Sequence, residues 1–559
     1  MIWKIAKKEF LLNLMTFRFA VGTALCVGLV ALFTFVLVGD YHQRLESYSR
    51  AVAKNADELR QVRVYSQIRP TVYRPPQVLS VFSEGMEKQL GSAVTIERGK
   101  VPEITAGYIS GNPLLSIFPS LDISLIFKVV LSILALLFAY DAISGEKEQG
   151  TLKLMLSGTV ARHQVLLGKL LAGLLTLVIP ITIAFIVGLS ILQFSPMVGL
   201  TGSDWVRIGL IYLVSLIFVS AMFLFGLWFS CLTKKSSTTL MLVLFFWVIF
   251  AFVIPNGSVY LAAQFRKVEP REGIDVKVME TQEEFHKKLS NFRRENRPMV
   301  PKSVSQAGES LVVLYAPKSM MRYYQNENAL FEPLRIEVAS EAWDLEQRYF
   351  NRLKAQKNLG EVLSVLSPIS VYEGVMSGLL GTDLGNYEQF IENVRRYRNQ
   401  ILAYYRSEKR FSSLAFFTVQ KEKDLIDVNE ADLNALFLIK MVQETGIPSL
   451  PPEELEQLPK HIRNRFLMIL EEMKRGRTPR LEDVIHPNTL RFMKLFREKS
   501  WNIEDFPPLD LRDFPRFTYQ PEKIAESIGR VLPRLGLLIF INVLFFLLAF
   551  TAFLRYDAR

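Results

Sequence analysis

Two apolar runs, 121–140 and 165–194, enclose a short charged segment, DAISGEKEQGTLKLMLSGTVARHQVLLGKL, from Asp141 to Leu170. A helix needs about 20 predominantly apolar residues to cross the hydrocarbon layer, and each run has that length. No water-soluble core accommodates several such runs. They therefore confine the chain to a bilayer and make the segment between them an exposed turn-around. Four more apolar stretches follow the same rule, at 19–39, 207–232, 239–255 and 532–554. The expected fold is a polytopic α-helical membrane protein with about six transmembrane helices. A large, mostly helical extracytoplasmic domain is expected between helices 5 and 6.

The charge distribution orients this arrangement. The net charge is +11 and the pI near 9.3, values that also suit a nucleic-acid binder. The basic residues, however, are not clustered in the long hydrophilic stretches. Residues 257–530 carry 41 basic and 40 acidic side chains, and residues 40–120 carry 10 and 8. The short connections and ends at 1–18, 141–164, 233–238 and 555–559, with Lys169, carry 12 basic and 5 acidic. An excess of Lys and Arg in short loops on one side is the signature of cytoplasmic loops. Both termini are thus expected inside, and no nucleic-acid partner is expected.

In order, residues 1–18 set Trp3, Ile5, Phe10, Leu11 and Leu14 against Lys4, Lys7, Lys8 and Arg18, an amphipathic cytosolic surface helix. Residues 19–39 read as a retained signal-anchor rather than a cleaved signal peptide, because the run is long and no small-residue cleavage site follows. Residues 40–120 are expected outside, helical at first, then strand and turn around RPTVYRPPQVLSVFSEG. The segment 141–164 returns to the cytosol. The third crossing, 165–192, carries Pro180, which can kink it. In the domain 256–530, Glu341–Lys357 and Tyr387–Tyr405 have helical spacing, whereas Pro448–Pro459 and Trp501–Pro515 read as connectors. Its tyrosines and arginines from Tyr387 to Arg410 suggest an interface. Cys26 and Cys231 fall in or beside apolar runs, so no disulfide framework is expected.

Energy-coupling chemistry is absent from the motifs. In GEKEQGT, Thr151 stands where a phosphate-binding loop has its lysine; in HQVLLGKL, Leu170 replaces the hydroxyl residue that holds magnesium. His42, His163, His286, His461 and His486 are scattered, with no His-Glu-x-x-His, paired Cys-x-x-Cys or Gly-x-Ser-x-Gly. No catalytic, cofactor or metal site is expected. Lys128, inside LIFKVVLSI, is a possible intramembrane functional charge. It either snorkels toward headgroups near Asp122 or faces the bundle interior as a substrate or dimer contact.

In the central segment Glu146, Lys147 and Glu148 stand at the membrane exit, Gly150-Thr151 can break and restart the helix, and Leu152, Leu154, Met155 and Leu156 suit a short interfacial helix. An ordinary solvated loop is the other reading of these residues. The set Glu146, Glu148, Gly150, Thr151, Leu152, Arg162, Gly168 and Lys169 resembles the signature of ABC-2-type transporter permeases, as does Lys7-Lys8-Glu9-Phe10. Leu366-Ser367-Pro368, Leu380-Gly381-Thr382-Asp383, Arg395-Arg396-Tyr397 and the ending Phe553-Leu554-Arg555-Tyr556-Asp557 resemble the subfamily with a large extracytoplasmic insert before the last transmembrane helix. The resemblance implies a bacterial inner-membrane permease subunit that pairs with a second permease, as homodimer or heterodimer. It also implies a cytosolic ABC ATPase partner that holds the ATP and magnesium. Glu146, Glu148, Gly150, Thr151, Leu152, Arg162 and Lys169 would then form the ATPase-coupling interface. Coupling would serve export or mechanical work on a periplasmic or cell-surface partner. The alternatives are a membrane-anchored scaffold or receptor without ATP-driven transport, and a membrane enzyme with its site in the insert.

Overall fold

The computed structural model describes residues 1–83, 85, 87, 91–100, 102–105, 123–156, 161–196, 198–296, 303–307, 310–428, 486–498 and 502–556, with a few positions between 463 and 476. Asp122, His461, the 448–459 stretch and Asp557 lie outside the described residues. Six helices are long and apolar enough to cross a membrane: span 1 in Phe17–Arg60, span 2 in Ile123–Glu148, span 3 in Arg162–Gln193, span 4 in Gly202–Leu232, span 5 in Ser236–Phe265 and span 6 in Ile524–Leu554. The protein is a multi-pass helical membrane protein. One end of its bundle holds Ile2–Leu14 and the short connections (the loop end), and the other carries the hydrophilic insert (the insert end).

Several helices exceed the stretch that hydropathy alone selects. Span 1 continues to Arg60 without a break, 44 residues in all. At 1.5 Å per residue this is about 66 Å, twice the hydrocarbon thickness, so its second half is a stalk of the insert. Span 6 begins at Ile524, before the apolar run, and carries Pro533. Spans 2 and 5 each contain one widened π turn, Phe127–Leu131 and Ile249–Val253.

Aromatic layers hold the bundle together. Phe127 stacks on Phe185 at 5.3 Å, and Phe185 meets Tyr212 edge-on at 5.2 Å. Toward spans 5 and 6, Phe225 contacts Phe250 and Phe545, each at 5.2 Å. Hydrogen bonds add to this where lipid offers none: Thr182 to Tyr212 at 2.8 Å, Trp247 Nε1 donating to Ser132 Oγ at 2.8 Å, and Asn542 donating to the Ile217 carbonyl at 3.1 Å.

One correction concerns the insert. Residues 256–530 do not all lie outside the bundle. The helix Pro368–Leu380 buries Ile369, Val371, Tyr372, Val375, Met376, Leu379 and Leu380 in the same core as the spans. Tyr372 stacks on Phe218 at 4.3 Å and bonds Ser215 at 3.0 Å. Thirteen residues are too few to cross, so this helix enters the bundle core without spanning it, and it is called the re-entrant helix below. Apolar segments of 10–14 residues commonly serve this role. Ser367 caps its first turn and donates to the Phe250 carbonyl in the π turn of span 5 at 2.6 Å. Backbone irregularity at depth is thereby satisfied within the protein.

The insert proper is one domain built from both hydrophilic segments. Val62, Ile68, Val72, Val94 and Ile96 of the first segment share a core with Met320, Tyr397, Tyr405, Phe411 and Phe514 of the second. The antiparallel sheet β1 (Thr71–Tyr73), β2 (Ala93–Thr95) and β3 (Glu103–Thr105) comes from the first. The hairpin β4 (Ser303–Ala307) and β5 (Ser310–Tyr315), the 47-residue helix Lys318–Ser364 and the helix Leu384–Ser407 come from the second. A second correction follows. Tyr387, Tyr397, Tyr404 and Tyr405 line the inner face of Leu384–Ser407, so the aromatic character of Tyr387–Arg410 serves the internal core, leaving Arg395 and Arg396 exposed.

Gly374 and Gly378 form a small-xxx-small pair on the re-entrant helix facing span 6. A Cβ at Gly378 would stand 2.4 Å from Val531 Cγ1. Gly378→Val is expected to lower stability by about 1–3 kcal/mol through overpacking, read as a fall in melting temperature in detergent. Gly209→Ala, whose Cβ meets nothing within 4 Å, is expected to leave it unchanged or raised. Burial pushes the Tyr405 phenol up from 10.0 to about 12. A phenol whose folded value exceeds its unfolded one contributes stability that is complete below pH 10 and lost as pH rises toward 12. Melting temperature measured from pH 8 to 12 is expected to drop over that window, and less steeply in Tyr405→Phe.

Candidate functional site: the charged loop end

Each α-helix leaves four amide donors at its start and four carbonyls at its end without intrahelical partners. At the loop end of this bundle span 1 begins, span 2 ends, span 3 begins, span 4 ends, span 5 begins and span 6 ends. The charged residues of the central segment meet these groups directly. Lys147 Nζ donates to the carbonyls of Ser230 at 3.3 Å, Thr233 at 3.0 Å, and Cys231, closing the end of span 4. Its ammonium lies 5.2 Å from the ring of Tyr556, beyond span 6. Glu148 Oε2 accepts from Ser236 N at 3.0 Å at the start of span 5. Arg162 donates to Leu554 O at 2.6 Å and Phe553 O at 3.3 Å at the end of span 6. Cations thus meet carbonyl ends and the carboxylate meets an amide end, as the helix dipole favours.

Two further pairs complete the lattice. Lys169, whose side chain is 3% exposed, reaches Glu146 at 2.8 Å and Glu9 of the N-terminal helix at 3.4 Å. Arg18, at the start of span 1, pairs with Asp141 at 2.8 Å and lies 5.1 Å from the ring of Tyr140. Ser230 Oγ accepts the amides of Ile143 and Ser144, both at 2.9 Å. All six span ends, together with Ile2–Leu14, are joined through side chains of 141–169 and their partners.

Gly150 has φ +75°, a conformation only glycine adopts without strain, and it separates the helix Ser144–Glu148 from the helix Thr151–Leu156. On this second helix Leu152 is fully buried, whereas Leu154 is 78% exposed beside exposed Thr151 and Lys153. The structure therefore divides the expected coupling set. Glu146, Leu152, Arg162 and Lys169 face inward and bind the spans to each other. Glu146 and Lys169 are taken up by pairing with each other and with Glu9, and Arg162 by the carbonyls that end span 6. Glu148, Gly150 and Thr151 stay at the surface. Among the side chains described from Thr151 to Met155, Leu154 is the most exposed apolar one, and the sequence alone showed it only as part of an apolar face.

Lys128 lies at the insert end. Its ammonium pairs with Glu373 of the re-entrant helix at 3.1 Å. This is a contact within the chain, toward the helix Pro368–Leu380; Asp122 lies outside the described residues. No group of three or more metal-ligating side chains occurs among the described residues.

The model of a family described as ABC-2 family transporter protein matches residues 3–416. A shorter similarity, 46% identity over 56 residues, joins the chain to the probable ABC transporter permease protein NosY of Stutzerimonas stutzeri; it covers 10% of this chain and 20% of that protein. The chain thus matches about a fifth of the length of that curated relative.

Removing the shared cation tests the lattice. Lys169→Met leaves Glu9 and Glu146 without their common partner, an imbalance that typically costs about 3–5 kcal/mol when buried. The expected outcome is a clear fall in melting temperature in detergent. Glu148→Gln, at a fully exposed contact, is expected to leave the melting temperature nearly unchanged.

Proposed function

The chain belongs to the ABC-2 family of transporter proteins, and from that premise we propose that it is the permease subunit that receives work from a separate ATPase and passes it across the membrane. The observation that carries this reading is the joining of all six span ends around one projecting turn. Thr151–Leu156 sits between Asp141–Glu148 and Arg162–Lys169, whose side chains hold the hydrogen bonds and ion pairs to the span ends, so a force on it is passed to the bundle as a body rather than to one helix at a time. Packed helices shift as units in this way. A passive anchor requires no such convergence.

In this reading the loop end is cytosolic, which agrees with its basic excess, and the insert is extracytoplasmic in a bacterial inner membrane. ATP and magnesium belong to the ATPase subunit, because this chain has Thr151 and Leu170 where a nucleotide loop needs lysine and hydroxyl. The permease itself is not an enzyme. A second permease, identical or related, completes the assembly. The stalk of span 1 and the re-entrant helix both enter the insert, giving two routes by which tilting spans move the outer domain. Export and mechanical work on an outer partner both use that motion.

The docking contact is assigned to Leu154, with Thr151 and Glu148 beside it. An exposed leucine at the centre of a small helix is suited to a hydrophobic groove, with polar groups at the rim. Leu154→Asp is expected to leave melting temperature and membrane insertion unchanged while reducing co-purification of the ATPase from native membranes by at least tenfold. Full retention of the ATPase by Leu154→Asp would count against the docking role.

A further inference from the structure

At the insert end a cavity of about 520 Å³ opens between span 2, the end of span 5, the helix Lys318–Ser364, the re-entrant helix and span 6. This is within the size range of small-molecule sites. Its walls carry three cations, Lys128, Lys357 and Arg534, and three carboxylates, Glu361, Glu373 and Asp383. Lys357 pairs with Glu361 at 2.7 Å, and Arg534 also bonds Glu361. Lys128 has Glu373 at 3.1 Å. An ammonium offers three donors and a carboxylate several acceptor positions, so this last pair retains capacity on both members.

Two hydroxyls in the same cavity point to a missing partner. Thr382 is 1% exposed, and its Oγ1 has no hydrogen-bond partner among the described residues. Ser370 Oγ, also lining the cavity, has none either. Both oxygens are closed to water in this structure; buried hydroxyls without partners are uncommon and costly, and a polar ligand against the wall that each side chain lines would give a rotated hydroxyl its partner.

The setting narrows the ligand. Pro255, Ser258, Val259 and Ala262 of span 5 form one wall. Beside them Phe252, Val253 and Val259 are more than half exposed on a helix that belongs to the membrane. A polar, charge-balanced cavity is therefore continuous with a lipid-facing apolar strip. An anion alone would meet Glu361, Glu373 and Asp383, and a cation alone would meet Lys128, Lys357 and Arg534. We propose that this cavity binds the headgroup of a zwitterionic phospholipid with a primary ammonium, its phosphate at Lys128 and the hydroxyls of Ser370 and Thr382, its ammonium at Glu373, and its acyl chains along span 5. The site is separate from the loop end and does not rest on ATPase docking. Occupation would join span 2, span 5 and the re-entrant helix at the level of the headgroups.

The test uses the full chain, purified in mild detergent and exposed to an equimolar mixture of phosphatidylethanolamine, phosphatidylglycerol and phosphatidylcholine, with retained lipid read by native mass spectrometry. The wild type is expected to retain phosphatidylethanolamine in preference to both others. Lys128→Gln with Glu373→Gln is expected to reduce that retention about tenfold, the worth of a hydrogen bond to a charged group. Thr382→Val is expected to reduce it severalfold, and it decides the matter if the double variant does not elute as the wild type does. Equal retention of the three lipids, a preference for phosphatidylglycerol, or an undiminished preference in the variants would overturn the proposal. Water-soluble phosphoethanolamine at the same concentration is expected not to displace the lipid. Displacement would overturn a membrane source and leave a soluble ligand.

Discussion

A helix that ends at a membrane surface leaves carbonyls and amides that need partners, and the arrangement of this protein follows from how its loop end supplies them. Lys147 closes span 4, Arg162 closes span 6 and Glu148 opens span 5. Lys169 holds Glu146 and Glu9 together in a site nearly without water. Each contact joins residues far apart in sequence, so none exists until the spans have packed. The same contacts that satisfy the helix ends also set which spans are neighbours. The stability of the bundle and the order of its spans thus rest on one set of groups.

The insert end is organised differently. There the join between membrane and outer domain is made by packing: a stalk continuous with span 1, and a re-entrant helix whose Tyr372 lies against Phe218. The glycine pair at Gly374 and Gly378 lets span 6 approach closely. Polar groups also meet here, where Arg207 donates to Ser527 Oγ at 3.1 Å and Arg530 pairs with Asp383 at 3.0 Å. Burial raises the Asp383 carboxyl above its ordinary range despite Arg530. A bundle tied at one end by polar contacts and wedged by a short helix at the other holds the insert packed on the spans.

The sequence motifs that resemble the family acquire physical roles in this arrangement. Ser367-Pro368 is the cap and first residue of the re-entrant helix, and Gly381 and Asp383 end it and begin the next. Arg395 and Arg396 lie on the exposed face of a helix whose opposite face is core. These residues were recognisable because caps and turns depend on a few neighbouring positions. The inward direction of Glu146 and Lys169 was not, since a charged residue in a polar segment reads equally well as solvated or as a helix-end partner.

Hydropathy sums along the chain, so the sequence by itself determined that six segments belong in a bilayer, that the chain carries no nucleotide loop, and that a hydrophilic block separates the last two spans. Helical periodicity, also local, was enough to place Tyr387–Tyr405 on a helix. Only the tertiary structure decided that Pro368–Leu380 sits among the spans, because a short, largely apolar helix suits a soluble core as well as a membrane one. Only it joined residues 40–105 to the insert's core, and only it gave Lys128 a partner 245 positions away. The reason is the same in each case. Partition between water and lipid is a property of a segment, whereas the partner of a buried charge or aromatic ring is a property of what packs against it.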